Sequence, residues 1–93
     1  MSAFMVICTF RDGTDMAEVM SVVEEEQAQV ETLTAEGRLG PIRLSLARGT
    51  VFIEAFADDP DGAVATVRTL PMARWWDLDV FPLAPAPAAG GAA

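Results

Sequence analysis

The chain contains no histidine, no tyrosine and no lysine. These absences remove imidazole bases, Ser-His-Asp triads, lysine Schiff bases and phenolic acids from its chemistry. A single cysteine, Cys8, excludes an intrachain disulfide and a cysteine-rich zinc site. No glycine-rich phosphate loop is present. All six basic residues are arginines, they form no long basic patch, and they face 14 acids for a net charge of −8. Neutralising phosphates requires clustered cations, so neither nucleic acid nor an anionic membrane surface is an expected partner. The apolar runs fall far short of the roughly 20 residues of a membrane-spanning helix. Met1 to Phe10 is apolar but has no basic residue ahead of its apolar run, so it does not read as a signal peptide, and a cytoplasmic location is expected. Any acid-base catalysis here falls to Asp or Glu, with Arg, polar side chains or backbone N–H groups assisting.

What is present is apolar. Of 93 residues, 52% are hydrophobic, and the mean hydropathy is +0.30. This is one small domain with a limited core, and its surplus apolar surface points to a subunit interface in a homo-oligomer.

Phe4 to Phe10 alternates as a strand that is apolar on both faces, which predicts a central, covered position, with Cys8 as a buried small hydrophobe. Arg11-Asp12-Gly13-Thr14 predicts a turn, and Asp15 or Thr14 a helix cap. The following helix is expected to run unbroken to about Glu36, with Gly37 as its stop. Turned at about 100° per residue, it gathers Met16, Val19, Met20, Val22, Val23, Val30 and Leu33 into one stripe. Glu26 falls inside that stripe and Gln27 near its edge, so both polar side chains are expected on the sheet side. Leu39–Arg48 and Thr50–Ala57 read as a hairpin with Arg48-Gly49 at its tip. That register sets Arg43 directly opposite Glu54, with Phe52 on the same face. Asp58-Asp59-Pro60-Asp61 opens a second helix with Ala63, Val64, Val67 and Leu70 inward, ended by Pro71. Arg74 to Leu83 is the last strand, in which alternation sends Trp75 and Trp76 to opposite faces. The fold expected is α+β: a ferredoxin-like βαββαβ antiparallel sheet over residues 1–84, with 85–93 as a disordered Ala/Pro/Gly tail. One sheet face is covered by helices. The other carries Phe52 and Phe56 and is expected to meet a second sheet.

Leu70-Pro71-Met72, Asp77-Leu78-Asp79-Val80 and Pro82-Leu83 resemble the muconolactone isomerase-like family. Gly37 after an acidic helix, Asp58 after the third strand and the spacing from there to Leu70-Pro71 fit the same pattern. The resemblance implies a dimeric α/β-barrel of ferredoxin-like subunits, in larger rings such as decamers in some cases. It also implies an activity that shifts a double bond in a small unsaturated lactone with no metal or organic cofactor. Glu26 matches the family's first-helix carboxylate that moves the proton. The family's following Lys is Gln27 here, and its Lys/Arg-His-Pro ending is Pro85-Ala86-Pro87. These departures shift the expected substrate toward a small hydrophobic or aromatic-derived molecule.

The candidate catalytic residues are therefore Glu26 and Gln27. Glu26 is either a general acid/base with its pKa raised by burial, or a helix carboxylate that reaches solvent or pairs with Arg. Gln27 is either an oxyanion donor or a surface residue. Arg43, Glu54, Phe52, Trp75 and Trp76 are the candidate substrate-binding residues. Arg43 and Glu54 are either an anion-binding or acid-base pair or a structural ion pair at the interface, and one tryptophan either stacks on a ligand or packs, the commoner fate of Trp. Three functions follow: an isomerase or cyclase acting on an unsaturated lactone, ketone or polyketide-type intermediate; a cofactor-independent monooxygenase of aromatic polyketides; and a non-catalytic ligand-binding or assembly subunit.

Overall fold

The computed structural model describes residues 1–85. Its strands are β1 (Ser2–Phe10), β2 (Leu39–Ser45), β3 (Thr50–Ala57) and β4 (Trp76–Pro82), and its helices are α1 (Met16–Met20), α2 (Val23–Ala35) and α3 (Pro60–Arg68). The strands form one sheet in the order β2-β3-β1-β4, with every pairing antiparallel. The fold is α+β, an open four-stranded antiparallel sheet with three helices, compatible with the ferredoxin-like arrangement. Residues 86–93, most of the expected tail, lie outside the described residues. Among the described residues no helix is long and apolar enough to cross a membrane.

Strand β1 is central because both its faces are apolar. Phe4, Val6 and Cys8 are buried beneath the helices with Val51, Ile53, Ala55 and Ala57 of β3. Leu33 of α2, Ala63 and Val67 of α3, then Leu70, Ala73 and Trp76, close this layer. Met5, Ile7, Phe52, Glu54 and Phe56, on the opposite face, are only half-buried, and Phe81 is exposed.

The helix ends follow the sequence. Asp15 caps α1 by accepting the Ala17 N–H at 2.9 Å. Asp59 caps α3 by accepting the Gly62 N–H at 2.7 Å, with Pro60 in the first turn. At the end of α2, Gly37 takes φ +74°. The Arg38 N–H then bonds the Leu33 carbonyl and the Gly37 N–H the Thr34 carbonyl, a paired closure that favours glycine.

Two expectations fail for local reasons. The first helix is not continuous. It breaks at Ser21-Val22, where the Ser21 hydroxyl bonds the Glu18 carbonyl at 2.6 Å and the Val22 N–H turns back to Val19. A serine that satisfies the backbone locally, followed by two β-branched valines, favours the break. The hairpin also closes two residues earlier than expected. Leu46–Arg48 form a 3₁₀ turn and Gly49 sits in the left-handed region at φ 57°, so Ser45 pairs with Thr50 and Arg43 with Phe52. The expected opposition of Arg43 and Glu54 is therefore absent. A shift of two keeps every residue on its face, so the core alternation cannot distinguish the two registers. Leu46, inside the segment expected as the second strand, lies in the turn and is exposed.

Candidate active site

Glu26 lies in the acidic first turn of α2, where negative charge suits the helix N-terminus. Glu24 and Glu25 are exposed, and Glu26 is half-buried. Glu26 Oε1 accepts the Met72 N–H at 2.9 Å. Met72 is the second residue of a 3₁₀ turn, Pro71–Trp75. The opening N–H groups of such a turn lack partners within it. Pro71 has none to satisfy, and the carboxylate takes the one on Met72. Capping alone would lower the Glu26 pKa. Burial outweighs it and pushes the pKa above the ordinary value of 4.5, with the Met72 bond opposing.

Cys8 lies close enough to feel the same charge. Burial first, then the Glu26 carboxylate, push its thiol up to about 12, against an opposing pull from Arg68. Cys8 has no exposed surface, so at pH 8 iodoacetamide should leave the native protein unlabelled and alkylate it fully in denaturant, as read by intact mass. Rapid labelling of the native protein would contradict this burial.

Beside Met72 lies an apolar cavity of about 410 Å³, walled mainly by Phe10, Met16, Val19, Met20, Leu44 and Met72. It opens between α1 and the β2–β3 turn. Met72 connects the two features, since its N–H holds the carboxylate and the residue lines the cavity. Among the described residues no group of three or more His, Cys, Asp or Glu converges as a metal site.

The remaining candidates do not gather around Glu26. Gln27 is exposed. On one continuous helix over residues 16–36, Met16 and Met20 stand about 80° and 120° around from Glu26 and widen the apolar stripe toward Gln27. They belong to α1, and the inward face of α2 is set by Val30 and Leu33. Gln29, on the other flank of Glu26, is the half-buried amide, donating to Thr69 Oγ1 at 2.9 Å. Helical spacing from Leu33 alone would have found it. Arg43 is exposed, and Phe52 and Glu54 are half-buried; all three lie on the sheet face away from the helices.

The tryptophans are not alternating strand residues, because β4 begins only at Trp76. Trp75 ends the 3₁₀ turn, and the Arg74 guanidinium stacks 5.0 Å from its ring centroid. Trp76 is a core residue, 1% exposed. It meets Phe10 edge-to-face at 5.9 Å, and its Nε1–H has no partner among the described residues. Sequence reasoning also passed over Arg11. Its guanidinium donates to Asp77 Oδ1 at 3.0 Å, the Arg74 carbonyl at 2.7 Å and the Trp76 carbonyl at 2.9 Å. That clamp anchors the segment that presents Met72, and only long-range pairing reveals it.

No protein-family model and no curated protein matches this chain.

Proposed function

We propose that this chain is a cofactor-free isomerase or cyclase in which Glu26 moves a proton within a small unsaturated lactone, ketone or polyketide-type intermediate. The observation that carries the reading is a half-buried carboxyl, its pKa raised, held by Met72 at the wall of an apolar cavity. A raised pKa brings a carboxyl closer to the pH at which it both takes and returns a proton. Glu26 would remove a proton from carbon next to a carbonyl and return it to a second carbon or to oxygen. Gln27 is exposed on α2 and Arg43 lies on the other sheet face, so within one subunit neither side chain is placed with Glu26.

The reading includes a homodimer of α/β-barrel type, closed by the open faces of two sheets. Its support is the row of Met5, Ile7, Phe52, Phe56 and Phe81 on that face. The outward exposure of Gln27 and the place of Arg43 on the other sheet face favour a second reading, a ligand-binding subunit without turnover. Solvent deuterium separates the two. The isomerase places deuterium at enolisable carbons of bound ketones and unsaturated lactones, detected by mass spectrometry. A binding subunit takes up the same compounds and leaves their C–H bonds intact.

A further inference from the structure

The cavity beside Met72 has no charged wall. Ser45 and Thr50 are its only lining residues with polar side chains, and no ionisable residue lines it among the described residues. The chain's arginines are elsewhere. Arg11 is held by Asp77, Arg38 by Glu36 and Thr66, and Arg68 and Arg74 by the carbonyls of Ala73 and Pro71. Arg43 lies on the other sheet face. Arg48 is in the rim turn, exposed and outside the lining. The Glu26 carboxyl is bound to the backbone N–H of the wall residue Met72, in a chain of net charge −8.

We propose that this cavity binds an uncharged, largely apolar ring compound and rejects its carboxylate analogue. The inference rests on the reading of Glu26 as the working group of the same site, and it adds the charge class of the ligand. A carboxylate entering here would lose its water with no cation among the lining residues to replace it. It would also approach a second negative charge.

The size and walls suit a small ring. The cavity, at about 410 Å³, lies within the range of small-molecule sites, roughly 300–1,000 Å³. Three of its walls are methionines from two separate segments, Met16 and Met20 on α1 and Met72 on the 3₁₀ turn. Their flexible thioethers fit irregular apolar shapes and favour aromatic faces. Met20 and Met16 are 63% and 50% exposed, a cost in apolar surface that a bound ring would recover. The occupant is a small molecule rather than a second copy, because the site is a concavity on the helix side of the sheet. The proposed dimer contact uses the opposite face.

The five methionines provide the test. In protein labelled with ¹³C at the methionine methyls, 2-acetonaphthone or acetophenone is expected to shift Met16, Met20 and Met72 and leave Met1 and Met5 in place. The matched anions, 2-naphthoate and benzoate, should bind about tenfold more weakly or worse, a difference of about 1.4 kcal/mol. Met20→Lys, at an exposed position, should reverse the preference and bring in the carboxylates. Equal binding of ketone and carboxylate by the natural chain overturns the proposal. So do shifts confined to Met1 or Met5, absence of any shift, or shifts that track protein concentration instead of ligand. Ketone binding without deuterium exchange would end the isomerase reading while leaving this one standing.

Discussion

Glu26→Gln loses proton transfer and gains stability at neutral pH. Replacing the carboxyl removes the group that the proposed reaction uses to accept and return a proton. Exchange should fall by about 10²–10⁴-fold, the usual contribution of a positioned acid-base group. The stability change has a definite sign. The Glu26 pKa is raised in the fold from its ordinary 4.5 by burial. Below that value the group is protonated in both folded and unfolded chains and costs nothing. As the pH rises above it, the unfolded chain releases its proton first, while the fold resists ionisation. Stability therefore declines from about pH 4.5 upward through the folded pKa and then levels off. Gln has no proton to lose, and its amide oxygen can still accept the Met72 N–H. The variant should thus match the natural chain in acid and exceed it at pH 7, as read by urea midpoints from pH 4 to 8. Glu26→Ala removes the acceptor as well. It leaves the Met72 N–H unpaired, at a cost of about 1–3 kcal/mol, so the two substitutions should move stability in opposite directions. If Gln melts below the natural chain at pH 7, the carboxylate is a structural cap and the catalytic reading fails.

The sequence makes this carboxyl legible, but not its neighbourhood. Strand β1, helix α3 and the stop at Gly37 follow from periodicity and caps, which act over a few residues. Glu26 is visible for the same reason, being four residues before Val30 and seven before Leu33 on one helical face. Three features escape that kind of reading. Ser21 breaks the first helix through its own hydroxyl, which changes the phase and turns Gln27 outward. The early 3₁₀ turn at Leu46–Arg48 slides the hairpin by two, a shift invisible to a pattern of period two. The Met72 cap and the Arg11 clamp join residues 46 and more than 60 positions apart, and neither follows from local chemistry. Trp75 and Trp76 divide between a turn and the core because Pro71 starts a 3₁₀ turn that delays β4. Composition alone does identify the surplus apolar surface, and the fold divides it between the cavity beside Met72 and the sheet face that no helix covers.

That surface sets the second large effect. Phe52→Glu should convert the proposed dimer to monomers with the subunit fold unchanged. Phe52 is flanked by Arg43 on β2 and Ile7 on β1, while Met5 stands between Glu54 on β3 and Phe81 on β4. The result is a mostly apolar patch across a face that no helix covers. Two such faces packed together would bury Phe52 near the centre of the contact, where aromatic anchors dominate binding. A carboxylate there would be desolvated against its symmetry mate. An effect of about 4 kcal/mol or more corresponds to roughly 10³-fold in dissociation constant. Phe52 is already half-exposed within one subunit, so the substitution does not disturb the helix-side core. Light scattering with size-exclusion chromatography, alongside circular dichroism, separates assembly from folding. The register adds a second handle. Arg43 opposes Phe52 rather than Glu54, and the only salt bridges among the described residues are Arg11–Asp77 and Arg38–Glu36. Both side chains are thus free to pair across the proposed dimer. Arg43→Glu should weaken association, and the double change with Glu54→Arg should restore it. A natural chain that stays monomeric at high concentration would remove the dimer from the proposal. The cavity beside Met72, on the other side of the sheet, would still be testable for its ligand.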